Sequence, residues 1–290
     1  MLVGVRIAPT NLLRALFVLV FLGVSTAPAS ASVTEAGGFS YVQKKYKPGR
    51  GTTTLSAACP AGMHVYGGGH YNDQGFGKIV PSHSFPYDGR DQKREPDDGW
   101  KAQMKVLEKD SKVWIHAVCD EKKPSYSTTR GAPRSSSPGG QALYTWYCDP
   151  TDGAVVSGGS RGHQSVVATA NWPFDAGPTG DGWNFNVENR GSKLRKFHLV
   201  AICTSRSMSY TAGGGSAGPG SQSSATASCP VSSTVLAGGV QHGGTFEKAT
   251  LVSSRPASVA TPGGLWQGWV DNSDANPLAF TTWASCVLVP

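Results

Sequence analysis

Cys59-Pro60-Ala61-Gly62-Met63-His64-Val65-Tyr66-Gly67-Gly68-Gly69 opens a pattern that this chain carries three times. Each copy begins with a Cys separated by 8 to 9 intervening residues from a Gly-Gly pair: Gly68-Gly69, Gly158-Gly159 after Cys148, and Gly238-Gly239 after Cys229. A turn ending in Pro comes next, at Ser84-Phe85-Pro86, Asn171-Trp172-Pro173 and Ser254-Arg255-Pro256. A Trp follows at Trp100, Trp183 and Trp266, and each copy closes on Ala-x-Cys at Cys119, Cys203 and Cys286. The Cys-to-Cys separations are 60, 55 and 57 residues. Copies two and three also run in register from Trp183 to Asn189 and from Trp266 to Asn272. Self-similarity at this many landmarks defines a repeat architecture before any local propensity is consulted.

Within a copy the hydrophobic period is two. Val113, Ile115, Ala117 and Cys119 alternate with Trp114, His116 and Val118, and Phe197 to Cys203 and Phe280 to Cys286 repeat the alternation. That is the signature of a strand with one buried face. The 37 Gly and 19 Pro punctuate the chain too often for long helices. The fold class read here is all-β: three internal repeats of antiparallel strands. A unit of about 80 residues is a marginal domain by itself. Three small sheets around a pseudo-threefold axis, a β-prism, would pool their apolar faces. Three tandem β modules on flexible joints are the competing arrangement. The glycine-rich run Thr211 to Ser221 and the Ser/Pro/Arg-rich residues 127–140 read as exposed joints between units.

Residues 1–31 have the form of a secretory signal peptide: Arg6 and Arg14, the apolar run Ala15 to Val24, then Ala29-Ser30-Ala31. Ten apolar residues reach only about 15 Å as a helix, too short for a ~30 Å hydrocarbon core. The organisation expected is a signal over 1–31 and β repeats over 32–124, 125–208 and 209–290. The product is expected to be secreted and extracellular, with no transmembrane segment in the mature chain. Six Cys in an exported chain, two per repeat, read as three disulfides. Pairing within repeats gives Cys59–Cys119, Cys148–Cys203 and Cys229–Cys286. Pairing between repeats gives Cys119–Cys148, Cys203–Cys229 and Cys59–Cys286. We favour the first, in which each bridge closes a loop worth nominally ~4 kcal/mol.

Beyond residue 31 the chain carries 24 Lys+Arg against 19 Asp+Glu, a net of +5. The Lys44-Lys45-x-Lys47-x-x-Arg50 cluster suits an anionic polymer, although a lysine-blunted edge strand explains it as well. No nucleophile elbow, H-E-x-x-H pair or phosphate loop is present. The scattered His and the acidic pair Asp97-Asp98 have no repeating partners, so neither a catalytic site, a metal site nor a cofactor is expected. Trp100, Trp183 and Trp266 recur and are read as core. Residues found in one copy alone are freer to recognise a ligand. On that ground His70, Tyr71, Asn72, Asp73 and Gln74, with Gly75 and Phe76, form a candidate glycan-binding loop of rings, amides and a carboxylate.

The run C-P-x-x-x-x-V-x-G-G-G with its Pro turn, G-W and closing A-x-C resembles a repeat of exported actinobacterial proteins of uncharacterised role. More loosely it is similar to vitelline membrane outer layer proteins. The second resemblance implies a threefold β-prism and an extracellular coat role, with related shapes among lectins; neither resemblance implies a catalytic residue. Copy two departs from the motif at Asp149, and copy three lacks the Gly after its Pro. The function expected is a secreted, non-catalytic, disulfide-stapled binding or structural module. Its partner is a glycan, an anionic cell-envelope polymer, or a protein of an extracellular assembly; nucleic acid is not expected. A wall-polymer hydrolase is the remaining alternative. Non-reducing peptide mapping should recover Cys59 with Cys119, Cys148 with Cys203 and Cys229 with Cys286, whereas a Cys119–Cys148 peptide would move the unit boundaries.

Overall fold

The computed structural model describes residues 31–289 apart from residue 74 and segments 90–94, 129–132, 176–180, 244–247 and 260–262. The signal-peptide reading, except Ala31, lies outside the described residues, as does Gln74. Among the described residues there is no helix. The first third holds β1 (Ala31–Ala36), β2 (Phe39–Tyr46), β3 (Gly51–Ala58), β4 (His64–Asn72), β5 (Ile79–Tyr87), β6 (Gly99–Val106) and β7 (Val113–Asp120). The second holds β8 (Ser125–Thr128), β9 (Arg134–Ser136), β10 (Gln141–Tyr147), β11 (Ala154–Gly162), β12 (Val166–Phe174), β13 (Gly182–Asn189) and β14 (Arg195–Thr204). The third holds β15 (Met208–Ala217), β16 (Ser221–Ser228), β17 (Ser233–His242), β18 (Ala249–Ser258), β19 (Leu265–Asn272) and β20 (Leu278–Leu288).

These strands form three antiparallel sheets, and every sheet is spliced from two repeats. The first runs β1-β2-β7-β4-β18-β19-β16, the second β3-β6-β5-β11-β14-β8 with β9 also on β14, the third β10-β13-β12-β17-β20-β15. This differs from the one-sheet-per-unit arrangement expected for a prism. Each repeat instead places three strands in one sheet and three in the next, with β1 added in the first repeat and β9 in the second, and its core lies between its own two half-sheets. Trp100, Met104 and Ile115 fill the first core, Trp183, Phe185 and Phe197 the second, Leu251, Val270 and Phe280 the third. The disulfides Cys59–Cys119, Cys148–Cys203 and Cys229–Cys286 join the two half-sheets of each repeat.

The Gly-Gly pairs explain how the splice is possible. A Cβ on Gly68, Gly158 or Gly238 would stand 2.4, 2.3 or 2.4 Å from the ring of Trp100, Trp183 or Trp266, so the first glycine seats its own repeat's Trp. A Cβ on Gly69, Gly159 or Gly239 would stand 1.8, 2.6 or 2.0 Å from the carbonyl oxygen of Ser254, Ser84 or Asn171, so the second glycine admits a neighbour's backbone. The sheet junctions fall beside these glycines, with Ser254 opposite His70, Ser84 opposite Ser160 and Asn171 opposite Val240.

Just before each pair the register slips by one residue, leaving Tyr66, Val156 and Leu236 as bulges. All three bulged side chains enter one shared apolar cluster with Phe39, Val118 and Val287. Beside each bulge a carbonyl receives a phenol from another repeat: Tyr126 Oη donates to Val65 O at 2.9 Å, Tyr210 to Val155 O at 2.6 Å and Tyr41 to Val235 O at 2.6 Å. Burial raises all three phenols, Tyr41 to about 12, so they stay protonated donors. Each of these tyrosines follows a Ser, at Ser40-Tyr41, Ser125-Tyr126 and Ser209-Tyr210, and the three together are a cyclic tie between repeats.

Two expectations are corrected here. The glycine-rich run after Tyr210 is not a joint: β15 pairs with β20 from Met208 through Ala217. Its glycines serve close packing, since a Cβ on Gly213 would lie 1.8 Å from Thr226 O and one on Gly215 2.6 Å from the Phe280 ring. The lysine cluster does not blunt an edge either, because β2 is flanked by β1 and β7. Gly239→Ala should lower stability by about 3 kcal/mol or more, through forced separation of two backbones. Gly214→Ala, with nothing within 4 Å, should be near neutral. Urea denaturation of both variants checks this, with the parent unfolding in one transition.

Candidate functional site

The stretch singled out from the sequence lies on β4 through Asn72, not in a loop, and strand alternation divides it. His70 and Asn72 point inward and are buried. Asn72 Nδ2 donates to Val252 O at 3.0 Å, and its repeat counterpart His242 donates from Nε2 to Thr169 O at 3.1 Å. Both are ties between repeats. Asp73 accepts from Lys112 N at 3.3 Å, and Lys112 Nζ lies 3.4 Å from its carboxylate. Tyr71 alone of the strand residues turns outward, its ring 5.2 Å from Trp114 and 3.8 Å from the Arg255 guanidinium. The four described residues, His70 to Asp73, therefore do not converge on one site.

What the outward faces share is a transverse row at each repeat junction. The second residue after Gly-Gly meets the residue before the Pro: Tyr71 with Arg255 on the first sheet, Arg161 with Phe85 on the second, Gln241 with Trp172 on the third. The ladder extends each row by one strand either way, Trp114 and Gln267 on the first sheet, His198 and Lys101 on the second, Thr281 and Asn184 on the third. The backbone positions are equivalent and the chemistry is not. The third row carries no charge, and its Gln241 Oε1 accepts from Trp283 Nε1 at 3.1 Å. None of these residues recurs, so a search for repeated residues passes over them. Their constant offsets from Gly-Gly and Pro are the signal that could have found them.

On the second sheet alone the row lies in a cleft of about 550 Å³. Phe85, Arg161 and His198 contribute to its lining from the sheet, with Asp88, Glu95, Lys123 and Asp152 among the surrounding residues. Two departures from threefold symmetry build it. Trp100 stands fourteen positions after Pro86, where Trp183 and Trp266 stand ten positions after Pro173 and Pro256. The strand β8 has only four residues, where its counterparts β2 and β15 have eight and ten. The described ends of the longer loop, Asp88, Glu95 and Pro96, wall the cleft, and at the far edge β8 and β9 each pair with only part of β14.

The wall is held at its base. Val65 N donates to Asp97 O and Cys59 N to Asp98 O, both at 2.9 Å, and His64 Nδ1 lies 2.9 Å from the Asp97 carboxylate. Glu95 pairs with Lys123 across the rim. Among the described lining residues three carboxylates stand against two cations and an imidazole, close to balance. Its volume falls within the ~300–1,000 Å³ usual for small-ligand sites. Among the described residues no group of three or more His, Cys, Asp or Glu is placed to hold a metal ion. Comparison of the sequence with protein-family models and with curated proteins finds no match.

Burial lowers His70 and His83 to about 4 and, with Arg255 adding to it, His116 to about 3, from an ordinary 6.5. Each depressed imidazole contributes stability that is complete above pH 6.5 and lost as pH falls toward its folded value, because the unfolded chain binds the extra protons. The melting temperature should therefore fall steadily between pH 6.5 and pH 4. A flat profile across that window would mean these rings are solvated.

Proposed function

We infer that this protein is an exported, non-catalytic binding module: a disulfide-stapled β-prism that takes a short stretch of neutral or zwitterionic glycan in the cleft on its second sheet. The observation that carries the reading is the single insertion between Pro86 and Trp100. Its described ends, Asp88 and Glu95, line a cleft at one of three otherwise equivalent rows. A framework needs no such asymmetry; a site does. The cleft chemistry suits a sugar, since Phe85 offers an apolar ring, and carboxylates and a guanidinium take hydroxyls in defined directions. The near balance of charge argues against a highly charged ligand. Three disulfides suit an oxidising compartment. No helix of the described residues is long and apolar enough to cross a membrane.

A second reading, docking of a protein partner, draws support from β10. It is an edge strand of the third sheet and leaves Leu143 56% and Tyr147 48% exposed, with neither Lys nor Pro to blunt pairing. A glycan array that includes wall-derived oligosaccharides separates the two. We expect retention of at least one oligosaccharide class and no turnover of it. Phe85→Ala and Arg161→Ala should each weaken that binding tenfold or more, with little change in melting temperature. An array without hits, together with self-association or capture of a partner that Leu143→Lys abolishes, would favour the edge-strand reading.

A further inference from the structure

We propose that the outward face of the first sheet is a second, separate binding site, and that its ligand is an anionic polymer whose charges recur along the chain. Lys45 on β2, Trp114 on β7, Tyr71 on β4 and Arg255 on β18 lie side by side on four adjacent strands. The Lys45 ammonium is 5.1 Å from the Trp114 ring, that ring 5.2 Å from Tyr71, and Tyr71 3.8 Å from the Arg255 guanidinium. The result is a continuous stack of cation, indole, phenol and cation. Each ring has neighbours on both sides, which leaves little ring face for a pyranose. What the row offers a ligand is its two positive ends.

Those ends are held in place and left unneutralised. Arg255 Nη2 donates to Gln267 Oε1 at 3.1 Å while the guanidinium rests on Tyr71, so its fork is oriented before any ligand arrives. Among the described residues neither Lys45 nor Arg255 makes an ion pair with a carboxylate. The third repeat makes the point by economy. It has two cations in all, Lys248 and Arg255; the first pairs with Asp274, and the second stands on this face. Nor does the framework require charge here, since the equivalent row on the third sheet is Thr281, Gln241, Trp172 and Asn184.

Spacing selects the class of ligand. Lys45 and Arg255 are three strand intervals apart, about 14 Å. One phosphate or carboxylate cannot reach both, whereas a chain of phosphodiesters or uronates can. Lys47 and Arg50 follow at the end of β2, where a longer ligand would continue. The cleft on the second sheet, with its described charges near balance, offers the same polymer little net attraction. The two sites therefore divide ligands by charge, and neither depends on the other.

The test uses the full mature chain and soluble poly(glycerol phosphate), with anionic phospholipid vesicles as a separate arm. Binding to the soluble polymer is expected at 50 mM salt, weakening about sevenfold or more by 200 mM for two engaged cations. Lys45→Gln and Arg255→Gln should each reduce affinity several-fold, while Arg161→Ala in the cleft leaves it unchanged. Lys45 is exposed, so its variant keeps the test decisive if Arg255→Gln lowers the melting temperature. Absence of polymer binding at 50 mM salt, equal affinity of Lys45→Gln and parent, or binding to vesicles alone would each overturn the proposal.

Discussion

The structure depends on three places where one backbone lies against another with no side chain between them. At Gly69, Gly159 and Gly239 the carbonyl of a neighbouring repeat occupies the space a Cβ would need. That approach lets the edge of one half-sheet continue into the next repeat, which covers one edge of each of the six half-sheets and aligns the bulges on one shared cluster. The phenols of Tyr41, Tyr126 and Tyr210 then close the same contacts by hydrogen bonds that burial makes costly to lose. Packing, pairing and polar satisfaction all act across the repeat boundary, so the units are not separable beads.

Much of this was legible from the sequence, for a definite reason. Backbone closeness can be met by few residue types, so Gly-Gly recurs in every copy and marks the junction. Indoles that fill equivalent cores recur too, and Trp100, Trp183 and Trp266 are buried as read. The strand alternation ahead of Cys119, Cys203 and Cys286 named the right face. The partner of each half-sheet was not legible. A pattern of landmarks along one chain is the same whether a strand pairs within its repeat or with the next one. Composition also misled at Gly213 and Gly215, where glycines required by close packing look like glycines chosen for flexibility.

The candidate sites were less legible still. Asn72 and His242 share a job, carrying a hydrogen bond to a neighbour's bulge, yet as different residue types they did not register as a repeat. A local run such as His70 to Gln74 reads as one cluster, although strand geometry sends alternate members to opposite faces. The residues that do converge, Phe85 with Arg161 and Tyr71 with Arg255, are far apart in the chain and meet only through the splice. The insertion whose described ends line the cleft was visible as a longer Pro-to-Trp spacing, but spacing alone does not place those ends beside the sheet.

The splice has a further consequence for how such a chain can change over generations. In a solenoid each unit stacks on the last, and copies can be gained or lost because the ends stay open. Here the first repeat receives the third, the second receives the first, and the third receives the second. That is the arithmetic of a ring, the covalent counterpart of a C₃ oligomer. Duplicating or deleting one unit would leave a half-sheet with no partner and an interface that no longer closes. The copy number is locked at three, and variation is channelled into what each row displays.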